Sequence, residues 1–188
     1  RIGAKVDPAW LVRWVLNPHE YRPRTRMPNF MFDEAQAESV AAYLLATTRE
    51  PSAEWLDGHP MPAVAQDATA VTRGKALVDS LGCRACHGLE PGEVAGQVGA
   101  NKDVAPNLAG IAEKTSARWV HHWIKNPRSF SHAARMPSLR LGDDEAASIT
   151  ARPTGTTPPS SRRSAAGRPL PRAPREVSGQ FALDQGSL

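Results

Sequence analysis

"GCRACHG", residues 82–88, holds the only two cysteines of the chain, Cys83 and Cys86, with His87 directly after the second. Four chemistries use two thiols at this spacing. A zinc site needs four ligands, usually a second Cys pair or a His pair, and neither follows here. A thioredoxin-type dithiol sits beside a βαβ pattern, and no alternating strand pattern occurs. A structural disulfide across two residues closes a very small loop, and so gains little from chain entropy. In the fourth, Cys83 and Cys86 add to the vinyl groups of a haem as thioethers and His87 ligates the iron. Cys-x-x-Cys-His is the sequence signature of that attachment. The fourth reading stands only if the rest of the chain supplies a sixth ligand.

The 188 residues are enough for one or two small domains. No run of 18 apolar residues occurs, so no transmembrane helix is expected. The chain starts at Arg1 rather than Met, and reads as a fragment or a processed product. A net charge of +4 invites a nucleic-acid reading. The location of the charge argues against it. Residues 152–188 carry six Arg against one Glu and one Asp, which leaves 17 basic and 17 acidic groups in residues 1–151.

An internal repeat locates a candidate sixth ligand. "KVDPAWLVRWVLNPHEYRPRTRMPNF" (5–30) aligns without gaps on "KTSARWVHHWIKNPRSFSHAARMPSL" (114–139), at an offset of 109 residues. Lys5/Lys114, Trp10/Trp119, Trp14/Trp123, Asn17/Asn126, Pro18/Pro127, Arg26/Arg135, Met27/Met136 and Pro28/Pro137 match, and the similarity ends at Ala42/Ala151. Each copy predicts a helix, a loop, a Met and a second helix. Asp7 and Ser116 are N-cap types, and Pro8 suits the first helical position. The Trp pairs lie at i, i+4, on one helix face. Pro disfavours α-conformation in the residue before it, so Asn-Pro ends the helix. A lone Met is commonly core filler. A Met-Pro repeated at a fixed distance from a Trp-bearing helix is a stronger signal. Met136 follows His87 by 49 residues. Its thioether is a soft, neutral donor, and Met/His ligation raises a haem's reduction potential.

With these motifs in place, the sequence resembles class I c-type cytochromes, in particular bacterial haem domains that occur in tandem. The resemblance covers 68–151 well and 1–46 as a half copy. It implies an all-α chain, with a small fold wrapped around one covalent haem c and an N-terminal helix crossing a C-terminal one. "DATAVTRGKALVDSLGC" (67–83) fits the first helix, with Val71, Gly74, Leu77, Val78 and Leu81 at helical spacing. Gly74 fits the close crossing. "APNLAG" (105–110) fits the family's Pro-containing loop. There the Pro106 carbonyl would take the Nδ1–H of His87, and Leu108 would pack on the haem. Trp119 and Trp123 would form a wall near the haem edge, where one indole N–H can reach a propionate or each ring simply packs in the core. The implied ligand set is Cys83, Cys86, His87 and Met136. His19, His59, His121, His122 and His132 are expected at the surface, with His132 an alternative to Met136 in a bis-His form.

The expected organisation is a distal half domain (1–46), a Pro-rich linker (47–67), a complete haem domain (68–151) and a disordered tail (152–188). The half copy has Met27 but no Cys-x-x-Cys-His before it, which implies an absent upstream half and exposed Trp10, Trp14, Phe30 and Phe32. In 152–188, Pro, Gly, Ser and Thr fill 18 of 37 positions, too few apolar residues for a core. The last helix is expected to stop after about two turns, through a frame shift at Ala151 or a disordered tail fused there. The expected function is electron transfer between redox proteins, without catalysis and without nucleic acid, in the periplasm or on the outer face of the membrane. The alternatives are a subunit of a larger membrane oxidoreductase, reached through the missing N-terminal region, and a dihaem peroxidase. The peroxidase needs a domain lacking a distal Met, and both copies keep theirs.

Overall fold

The computed structural model describes residues 2–47, 56, 58–62, 67–91 and 105–151. The described residues form helices and no strand. The tail and most of the 47–67 segment lie outside them. The all-α expectation agrees with this architecture.

The repeat is structural as well as sequential. In the first copy the helices are α1 (Ile2–Lys5), α2 (Pro8–Leu16), α3 (Pro18–Tyr21) and α4 (Glu34–Thr47). After α5 (Ala68–Ser80), the second copy has α6 (Ile111–Lys114), α7 (Ala117–Lys125), α8 (Pro127–Phe130) and α9 (Asp143–Ile149). Every start is displaced by the sequence offset. Asp7 Oδ1 accepts from Trp10 N at 3.0 Å, and Ser116 Oγ accepts from Trp119 N at 3.1 Å. These side chains satisfy amides that a helix start leaves bare. Asn17 and Asn126 lie outside the helical region (φ/ψ −146/85 and −148/81), since a following Pro disfavours α-conformation. Pro18 and Pro127 then open the short helices α3 and α8, which the sequence reading passes over as loop. Met31 and Arg140, again equivalent, both adopt left-handed φ of 56°.

The two copies differ where the last helix meets a partner. In the second, α9 lies on α5, with Ala146, Ala147 and Ser148 buried. Gly74 permits the approach, because a Cβ there would sit 2.1 Å from the Ser148 carbonyl oxygen. In the first, α4 packs on α2 around Trp10, Leu11, Val15, Ala37 and Ala41. Its outer face bears an open groove of about 420 Å³, lined by Phe32, Asp33, Ala35, Gln36, Ser39 and Val40. Ser39 and Val40 are the counterparts of Ser148 and Ile149, which meet Gly74 in the second copy. The expected exposure of the half copy is therefore partly corrected. Phe30 is 53% exposed, but Trp10 is buried against Trp14 and Tyr21, at 5.3 and 5.0 Å between ring centres.

The copies touch directly. Asp7 N donates to the Lys114 carbonyl at 2.8 Å, Arg13 pairs with Glu113 at 3.1 Å, and Tyr21 lies against Gly110. From the 47–67 segment, Leu56 is buried and the His59 carbonyl accepts from His122 Nε2 at 2.8 Å.

Candidate haem-binding site

Gly82 ends α5 in the left-handed region, at φ +72°. That conformation suits Gly at a helix C-terminus. The chain then coils through a 3-10 turn, Cys83–Ala85, closed by Cys86 N and His87 N donating to the Cys83 carbonyl at 3.2 and 2.9 Å. One tight turn thus carries both thiols and the imidazole. Cys83 and Cys86 are free and not joined to each other. Cys83 is half-buried, and burial pushes its thiol pKa up; Cys86 is exposed.

His87 Nδ1 lies 2.8 Å from the Pro106 carbonyl oxygen. A carbonyl can only accept, so Nδ1 donates, and Nε2 is the ring nitrogen left to face a metal. Loop 105–110 is pinned at this position. Leu108 N donates to the Gly88 carbonyl at 2.8 Å, and Asn107 Nδ2 to the Glu90 carbonyl at 2.8 Å. A histidine with one nitrogen fixed on a carbonyl is oriented as a metal ligand. Two free thiols, one oriented imidazole and an apolar residue, Leu108, on the adjoining loop fit a covalently held haem.

The second group of residues comes from α7 and the loop after α8. Trp119 and Trp123 stack at 5.0 Å with an interplanar angle of 17°. Trp123 Nε1 donates to Met136 Sδ at 3.1 Å. The resemblance leaves each of the two indoles either as core packing or with its N–H on a propionate; that of Trp123 is directed at the sulfur. Met136, Trp123 and Leu81 pack on one core formed by Ile124, Leu141 and Ala146. Leu81 stands two residues before Cys83, so this core links the thiol turn to the Met136 loop.

Residues 69–151 match the family model described as cytochrome C oxidase, cbb3-type, subunit III. They are a class I c-type cytochrome domain. No curated protein and no solved structure matched the chain. Haem-based electron transfer is the chemistry of a cytochrome c domain. No helix among the described residues is long and apolar enough to cross a membrane.

The histidines of the cytochrome domain and its surroundings need one correction. His19, His59 and His132 are exposed and His122 is half-buried. His121, expected at the surface, is 0% exposed. It points from α7 toward the start of α9, where its Nε2 lies 3.4 Å from Asp143 Oδ1. That is an ion-pair distance, and neither ring nitrogen makes a hydrogen bond among the described residues. Burial lowers the pKa of His121, with His122 and Lys125 adding repulsion. Lys125 also binds Asp143 directly and, by hydrogen bonding first, holds that carboxyl below its usual range. The sequence reading also gives no role to Lys5 and Lys114. Their signal was present, because they are the first matched pair of the repeat.

Proposed function

We propose that the chain carries one haem c, bound through thioethers at Cys83 and Cys86, with His87 and Met136 as axial ligands, and that it relays single electrons between redox proteins. The observation that carries this reading is the His87–Pro106 contact, which leaves Nε2 as the ring's one available donor. The haem supplies a one-electron Fe(III)/Fe(II) couple; an electron accepted from a reduced donor is passed on to an oxidised acceptor. The chain's own residues set its conditions. Pro106 orients His87, and Leu108 supplies apolar cover. Trp119 and Trp123 wall the Met136 side. With His87 and Met136 both holding the iron, peroxide or O2 chemistry would be disfavoured. Such partners dock through small, transient contacts.

The domain organisation belongs to the same proposal: a distal half domain at 1–46, a linker at 47–67, a haem domain at 68–151 and a functionless tail at 152–188. The groove on α4 supports the half-domain reading, since its counterpart in the second copy is covered by α5. The protein works outside the cytoplasm, where cytochrome c domains typically reside. A second reading, favoured by the family match, makes the chain part of a membrane oxidase complex. The electron-transfer chemistry is the same in both.

Mass spectrometry of the denatured chain, matured with haem-attachment machinery, tests the proposal. One added haem per chain that survives acid–acetone extraction is expected, and Cys83→Ala with Cys86→Ala should abolish it. Two haems, or haem released by the extraction, would overturn it.

A further inference from the structure

Lys5 and Lys114 hold equivalent places in the two copies. Each reaches across to the aromatic stack of the other copy. Lys5 Nζ lies 5.0 Å from the Trp119 ring centre and 5.6 Å from that of Trp123. Lys114 Nζ lies 4.8 Å from Trp10 and 5.6 Å from Tyr21. Trp10 and Trp119 are counterparts, so the contact is reciprocal: the lysine of each copy meets the tryptophan of the other. Such reciprocity is the pattern of an approximate two-fold contact, kept here by the lysines and Trp10 and Trp119. Both lysines are half-buried. Burial lowers both pKa values, that of Lys114 to about 8. The ring faces offset part of the lost hydration, since the negative face of an indole attracts an ammonium.

The two halves of this contact lead to different places. Lys114 ends on Trp10 and Tyr21. Lys5 sits on the stack whose Trp123 donates its N–H to Met136 Sδ at 3.1 Å. An unbroken run of contacts therefore joins the first copy to the sulfur: Lys5, the Trp123 ring, its N–H, then Met136.

We propose that Lys5 is a positioning residue for Met136: seated on the Trp119–Trp123 stack, it holds the Trp123 indole against the sulfur and raises the reduction potential of the haem carried by the second copy. This rests on the reading of Met136 as the sixth ligand. Two effects act in the same direction. A nearby cation disfavours the oxidised iron, which carries one more positive charge. A hydrogen bond donated to the thioether withdraws electron density from it, which favours Fe(II). The first copy thus conditions the chemistry of the second without binding the haem itself.

The test uses the haem-loaded full chain and three variants, Lys5→Met, Lys5→Arg and Lys114→Met. Two quantities are read: the midpoint potential, and the resonance of the Trp123 indole proton in the reduced, diamagnetic protein. Lys5→Met should move the Fe(III)/Fe(II) equilibrium several-fold toward Fe(III) and shift the indole proton upfield as its hydrogen bond is lost. Lys5→Arg, which keeps a cation on the stack, should restore both. Lys114→Met loosens the same interface from the other side and should leave the Trp123 resonance in place. An unchanged potential and resonance in Lys5→Met would overturn the proposal. So would a Lys114→Met variant that reproduces both changes, because the interface as a whole would then be responsible. An oxidised wild-type spectrum without a sulfur-to-iron band would instead overturn the ligand reading, while the indole resonance still reports on Lys5.

Discussion

Single residues carry two constraints of opposite legibility. Gly74 is legible through the family resemblance, which implies a close crossing of the first and last helices at this small residue. The crossing is tighter than spacing alone conveys, with the Ser148 carbonyl oxygen 2.1 Å from where a Cβ would stand. The obstacle is backbone and cannot swing aside. Gly74→Ala should therefore destabilise the cytochrome domain by about 1–3 kcal/mol, the range for overpacking, despite the better helix propensity of Ala. A denaturant midpoint equal to the wild type's would contradict this. His121 is the opposite case. It stands beside His122 in a helix whose apolar side is Trp119, Val120, Trp123 and Ile124, so an imidazole next to that side reads as surface, and its burial depends on where the start of α9 lies. A tertiary contact decided it, and no local pattern encodes that contact.

At the level of elements, helix starts were readable because capping is local chemistry. Asp7 and Ser116 act within three residues of their own position. Ser116→Ala should cost about 1 kcal/mol by thermal melt. The short helices α3 and α8 were not readable, because one Pro both ends the preceding helix, α2 or α7, and suits the first turn of the next. The clearest element-level contrast lies between α4 and α9. Ser39 is exposed beside an open groove, whereas its counterpart Ser148 is buried against α5. Ser148→Leu should lose about 1–3 kcal/mol, while Ser39→Leu should stay within about 0.5 kcal/mol of the wild type. Equal losses at both sites would mean that the groove on α4 is filled in solution, and that the copies are more alike than their surfaces indicate. The sequence reading anticipated the short last helix, and α9 runs only from Asp143 to Ile149 against Glu34–Thr47 for α4.

For the whole molecule, the offset alignment disclosed two copies but not how they meet. The reciprocal lysine contacts depend on side chains from opposite ends of the repeat, and only a three-dimensional arrangement pairs them. One consequence concerns pH. Burial, with repulsion from Lys5 and Arg22, holds Lys114 at about 8 against an ordinary 10.5. Between those values the unfolded chain keeps a proton that the folded chain has released, so stability rises with pH across that window. Thermal melts of the wild type should show this rise, and Lys114→Met should flatten it. A wild-type curve as flat as the variant's would contradict the burial of Lys114. The central claim is the ligand set, which joins the Cys-x-x-Cys-His turn to one of two equivalent methionines. Met136 shares the core of Ile124, Leu141 and Ala146 with Leu81, two residues before Cys83. Met27 lies 56 residues before Cys83, in the other copy. The most direct measurement is the oxidised absorption spectrum at the red end, where sulfur-to-iron charge transfer appears, taken for Met136→Ala and Met27→Ala in the haem-loaded chain. The band should vanish in Met136→Ala and persist in Met27→Ala; a band that survives Met136→Ala and is lost in Met27→Ala would contradict the assignment.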